Sequence, residues 1–92
     1  MISGCAHAGV ITIAAYAKEL AETESFHAVL GGFHLTGPAF EDVVGPTIEA
    51  LRKMDTRFVV PMHCTGWRAT ARFAEEMPGP FVLNTVGTTC AF

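Results

Sequence analysis

Arg57-Phe58-Val59-Val60-Pro61-Met62-His63-Cys64-Thr65-Gly66-Trp67-Arg68-Ala69-Thr70 decides how this chain is read. The run from Arg57 to Met62 is short, apolar and β-branched, as a buried strand is, and Trp67 to Glu76 has helical spacing. His63 therefore stands where a strand ends and a helix is about to begin. Two other stretches repeat this arrangement: Ser3-Gly4-Cys5-Ala6-His7-Ala8-Gly9 and Leu30-Gly31-Gly32-Phe33-His34-Leu35-Thr36-Gly37. His34 lies 27 positions after His7, and His63 lies 29 positions after His34. In open α/β sheets, ligands gather at the carboxyl ends of strands. His7, His34 and His63 are thus expected to converge, with the rest of the chain as their scaffold.

Outward from that stretch, the pattern alternates. Met1-Ile2-Ser3 reads as the last residues of a strand. From Gly9 to Ala21 the apolar positions Val10, Ile13, Ala14, Ala17 and Leu20 recur at helical steps. Ile11, Ala15 and Tyr16 widen that stripe, which predicts a helix buried on more than one side. Phe26 to Leu30 reads as a buried strand ending at Gly31-Gly32, with His27 as a structural or surface residue. Phe40 to Met54 reads as helical, with Gly45-Pro46 as an interruption, because proline cannot donate the hydrogen bond of an inner turn. The main helix is then expected to start near Pro46, with Ile48 and Leu51 inward. Ala69, Ala71, Phe73 and Ala74 pack the third helix, Trp67 caps the core or, with Arg68, borders a pocket, and Met77-Pro78-Gly79-Pro80 ends that helix. Phe81, Leu83 and Val86 alternate over a tail, Phe81 to Phe92, that reads as one or two short strands around Gly87. The order β-α-β-α-β-α-β predicts an α/β domain with a parallel or mixed sheet.

Ninety-two residues make one domain at most. Half of them are apolar and only 16% are charged, which implies either a large core for so small a chain or an apolar face turned toward something else. The net charge is −3, and the six Lys and Arg are scattered, which excludes nucleic-acid binding through phosphate neutralisation. No apolar run approaches a membrane span, and no basic residue precedes Lys18, as a secretory signal requires. Three cysteines without framework spacing (Cys5, Cys64 and Cys90) suit a reducing compartment, the cytoplasm.

The residue types point to metal chemistry, since imidazole serves zinc, iron and manganese alike. A polar loop role for each histidine is the plain alternative. Cys5 and Cys64 lie within two residues of His7 and His63. Such thiols either ligate metal or pack as small hydrophobes. No Cys-x-x-Cys pair occurs, which weighs against a closed structural zinc site. A hydrolase with Cys64 attacking and His7 or His34 as base is a further reading.

Taken together, Ile2-Ser3-Gly4-Cys5-Ala6-His7-Ala8-Gly9-Val10, Ala28-Val29-Leu30-Gly31-Gly32-Phe33-His34-Leu35 and Pro61-Met62-His63-Cys64-Thr65-Gly66 resemble the C-terminal half of the metallo-β-lactamase superfamily. They are most similar to its dihydropterin-ribofuranosyl-aminobenzene-phosphate synthase-like branch. The resemblance implies half of an αββα sandwich over residues 1–92, with His7 and His63 as metal ligands. It places His34 near a position where the superfamily commonly has a bridging aspartate, so His34 binds metal or substrate. The implied cofactor is a divalent metal: zinc first, then iron or manganese. The implied function is a metal-dependent hydrolase acting on an ester, phosphoester or pterin-type small molecule. The superfamily's His-x-His-x-Asp-His motif is missing, so a separate N-terminal half or self-association is expected to complete the site. The alternative is a non-catalytic assembly module or a remnant.

Overall fold

The computed structural model describes residues 1–91. Three parallel strands, β1 (Ile2–Ser3), β2 (Ala28–Gly32) and β3 (Phe58–Met62), form one sheet in the order β1-β2-β3. Ile2 pairs with Leu30 and Ser3 with Gly31, while Ala28 through Gly32 pair with Phe58 through Met62. Helices α1 (Val10–Ala21), α2 (Glu41–Lys53) and α3 (Trp67–Glu76) follow the strands in turn. Because every crossover is helical, all three strands run the same way and all three carboxyl ends lie along one edge. That edge carries the site.

Val29 and Val59, both fully buried, lead the face of the sheet that meets the helices. Against them pack Val10 and Ala14 of α1, Val44, Ile48 and Leu51 of α2, and Ala69 and Phe73 of α3. The rings of Phe33 and Phe73 meet at 5.6 Å and join the end of β2 to α3. Strand alternation sends Ile2, Leu30 and Val60 to the opposite face. There Ile2 is 84% exposed.

The structure corrects four expectations. Helix α1 is buried on one side only: Val10 and Ala14 are covered, whereas Tyr16 and Leu20 are 61% and 67% exposed. Ile11 packs against the core only in part, and nothing among the described residues covers Tyr16. Helix α2 runs without a break from Glu41 to Lys53, with Pro46 inside it. A 3₁₀ turn at Pro38–Phe40 starts it early, and the buried stripe Val44, Thr47, Ile48 and Leu51 spans the proline. Packing along that stripe outweighs the single backbone hydrogen bond the proline omits. In α3, Ala69 and Phe73 are buried, but Ala71 faces out and Trp67 is 79% exposed, so the indole does not cap the core.

The tail is the fourth. Phe81 forms a single parallel bridge to Val59, held by the Val59 N–H to Pro80 oxygen and Val82 N–H to Val59 oxygen bonds. No further strand follows among the described residues. Thr85 to Thr88 closes a turn instead, and Leu83 and Val86 are exposed. Alternation of apolar residues needs a face to bury them, and this tail has none. Phe92, the last residue of the expected strand region, lies outside the described residues.

Candidate metal centre

Each strand end turns through a left-handed residue. Ala6 has φ 51°, His34 52° and His63 51°. Only glycine adopts this region freely, and each such non-glycine residue costs on the order of 1–2 kcal/mol. Glu22 and Asp55 take the same region at plain turns after α1 and α2, so what sets the strand ends apart is a histidine at or beside each strained residue. The surrounding contacts hold them. The Gly9 N–H donates to the Ala6 oxygen, closing the loop that carries His7. The Phe33 N–H donates to Thr65 Oγ1 at 3.0 Å, and that hydroxyl donates to the Met62 oxygen at 2.9 Å. The Leu35 N–H donates to the Cys64 oxygen. The 3₁₀ turn His63–Thr65 is thus tied to both ends of the segment around His34.

The three histidines reach the same edge in two groups. The rings of His7 and His34 lie 4.5 Å apart at 46°, and Phe40 stands edge-on to His34 at 5.1 Å. The Nδ1 of His34 is buried without a hydrogen-bond partner among the described residues. A buried imidazole nitrogen left unpaired costs about 1–3 kcal/mol unless something binds it. His63 joins the two thiols instead: ligand atoms of Cys5, His63 and Cys64 all lie within 4.8 Å of one another. All three cysteines are free. His27 stays apart from both groups on the surface, edge-on to Phe58.

The Cys64 thiol donates to the Cys5 carbonyl oxygen at 3.4 Å. The imidazole grouped with it is His63, whereas the cysteine-hydrolase reading needs His7 or His34 as its base. The Cys5 thiol is held above the ordinary thiol range, first by its hydrogen bond with Cys64, then by desolvation, then by the nearby charge of a Cys64 thiolate. A raised thiol keeps the thiolate scarce, which counts against an activated nucleophile, and an ion binding there must displace the proton. An orphaned imidazole nitrogen and a Cys-His-Cys donor set fit a divalent transition metal. Sequence reasoning saw each cysteine beside a histidine. It did not see that the loops after β1 and β3 meet over Gly32, where an added Cβ would stand 2.7 Å from Cys64 Sγ and 3.4 Å from Cys5 Cα.

Beside the edge, His63, Met62, Gly66, Trp67, Phe81 and Leu83 border an open trough of about 520 Å³. A larger groove of about 690 Å³ runs past Trp67 to Leu35, Glu41 and Arg68, with the Arg68–Glu41 ion pair at 2.7 Å on its wall. That pair is exposed and contributes about 0–1 kcal/mol.

No protein-family model matches the chain. Over 99% of its length it superposes on a solved structure described as a metal-dependent hydrolase of the beta-lactamase superfamily, with a TM-score of 0.83 and 33% identity. It covers 35% of that chain. The resemblance to the metallo-β-lactamase superfamily thus holds in sequence and in fold. Among curated relatives, the chain is 35% identical over 92 residues to the 7,8-dihydropterin-6-methyl-4-(beta-D-ribofuranosyl)-aminobenzene-5'-phosphate synthase of Methanocaldococcus jannaschii. It is also 35% identical over 87 residues to an uncharacterized protein of the same organism. The match takes in 100% and 95% of this chain, respectively, but only 31% of each relative, so the chain spans about a third of their length.

Proposed function

We propose that this chain supplies strand-end ligand loops to a metal-dependent hydrolase centre, with His7, His34 and His63 as metal-binding residues. One observation carries the reading: three carboxyl strand ends, each strained into the left-handed region, present histidine along one edge. Strain of this kind is kept where function needs the geometry. Zinc suits the donors best, with iron and manganese as alternatives. A divalent ion held there would supply Lewis acidity and an acidified water. The chain's own part is to fix the imidazoles, keep the Phe40 side of His34 dry and leave the His63 side open to the trough. The substrate is a small ester, phosphoester or pterin-type molecule, the last in keeping with the synthase relative. Residues 1–92 then form a partial domain whose remaining ligands come from a complementary N-terminal half. A cytoplasmic setting agrees with three free thiols, and no described helix is long and apolar enough to cross a membrane.

Titration of the chain with Zn²⁺, Fe²⁺ and Mn²⁺, read by calorimetry, tests this. Micromolar binding is expected, weakened at least about tenfold in His7→Ala and His34→Ala. His63→Gly is expected to lose affinity as well, yet to unfold at higher urea, by about 1 kcal/mol, because it relieves the left-handed residue. Metal binding indifferent to His7 and His34 would remove the basis of the reading.

The exposed Ile2, at the edge strand of the sheet, favours a second reading, a non-catalytic module that assembles through that edge. Sedimentation is then expected to show self-association that Ile2→Lys abolishes. A strictly monomeric, folded wild-type chain at high concentration would count against it.

A further inference from the structure

We propose that Cys5, His63 and Cys64 form a sulfur-rich ion site for a thiophilic transition-metal ion such as Zn²⁺, beside the His7–His34 pair and sharing His63 with the centre proposed above. It goes beyond the hydrolase reading, because it uses two thiols that reading leaves idle and needs nothing outside this chain.

Distance is the first ground. In a tetrahedral zinc site, Zn–S and Zn–N bonds of about 2.3 and 2.0 Å place ligand atoms roughly 3.3–3.8 Å apart. Here they already lie within 4.8 Å of one another. At most about 1.5 Å per pair remains to be closed by side-chain rotation.

Construction is the second ground. Gly32 has no side chain where one would meet Cys64 Sγ, so the strand between the two cysteine loops is bare at the point where sulfur sits. The Cys64 oxygen is held by the Leu35 N–H, and the next residue, Thr65, is fully buried and hydrogen-bonded twice. His63 is exposed and carries left-handed strain, so its imidazole is offered from the solvent side. Three protein ligands with one open side give a site that takes an ion and keeps a position for a further ligand.

The chemistry balances without an oxidant. Each thiol loses its proton to buffer as a sulfur–metal bond forms, and neither sulfur nor metal changes oxidation state. About two protons are therefore released per ion bound.

Cobalt(II) is the probe, added to the reduced full-length chain. The expected result is an intense near-ultraviolet sulfur-to-cobalt charge-transfer band. It is lost in Cys5→Ser and Cys64→Ser, each with affinity reduced at least about tenfold, and kept in Cys90→Ser, His7→Ala and His34→Ala. Circular dichroism of each variant controls for folding. Cadmium NMR of the wild-type chain, which needs no variant, is expected to show a resonance shifted by sulfur ligation. Cobalt binding without that band, a band that survives loss of both cysteines, or a cadmium shift typical of nitrogen and oxygen ligands alone would overturn the proposal. The hydrolase reading fails separately, when His7→Ala and His34→Ala leave all metal binding unchanged.

Discussion

In Gly31→Ala, strand β1 is expected to leave the sheet while β2 and β3 stay paired. Gly31 has φ 142°, and a Cβ there would overlap the Ser3 carbonyl oxygen and stand 2.9 Å from its carbon. Both obstacles are backbone, so no side chain can rotate aside. Positive-φ strain and steric overlap add to roughly 2–6 kcal/mol, more than a two-residue strand returns. Hydrogen exchange separates local from global loss. The Leu30 and Gly32 amides, bonded to the Met1 and Gly4 oxygens at 2.9 Å, are expected to lose protection. The Phe58 amide, bonded to the His27 oxygen at 3.0 Å, is expected to keep it. Gly4→Ala is the control: nothing lies within 4 Å of its added Cβ, so it should be neutral. Wild-type protection at Leu30 and Gly32 in the variant would refute this account of β1. Because the β1 loop carries Cys5 and His7, the variant is also expected to lose ion binding by both groups.

The same glycine pair shows where the sequence was legible and where it was not. The sequence pattern ends β2 at Gly31-Gly32, yet both residues lie within the strand and are paired with Pro61 and Met62. Their lack of side chains serves close approach, of Ser3 to Gly31 and of Cys64 to Gly32, and close approach is a tertiary fact. The order of strands and helices was legible because it rests on local periodicity. The exposure of Tyr16, Leu20, Ala71 and Trp67 was not, because periodicity marks a side that can be buried without saying whether a neighbour covers it. Pro46 misled for a related reason. The propensity penalty is local, whereas the stripe from Val44 to Leu51 that overrides it draws on the whole core.

At the site, strand-end placement of His7, His34 and His63 followed from the pattern alone. Their division did not. Which imidazole meets which partner depends on left-handed turns at Ala6, His34 and His63 that no spacing rule predicts. Cys5 and Cys64 are 59 residues apart and meet only because β1 and β3 flank β2. A chain with so few charges also leaves Ile2 uncovered, although Val60 on the same face is fully buried. That exposure is what a segment spanning a third of its relatives would show if the rest of the domain covers it.

Thr65→Val is expected to cost about 2–4 kcal/mol and to disorder both histidine groups at once. Thr65 is fully buried, and its hydroxyl is the only link the described contacts place between the Phe33 N–H and the Met62 oxygen. Valine matches its shape, so packing is kept while two buried backbone groups lose their partners. The Phe33 amide precedes His34 and the Met62 carbonyl precedes His63, so both left-handed residues lose an anchor. Their strain then favours relaxation rather than return. The urea midpoint should fall, and ion affinity should fall with it even though no ligand has been changed. Thr65→Ser, which restores the hydroxyl and removes only a methyl group, is expected to recover ion affinity while stability stays about 1 kcal/mol below wild type. If Thr65→Val lowered stability but bound ions as the wild type does, the hydroxyl would serve the core alone. The strand-end strain would then be held by some other contact.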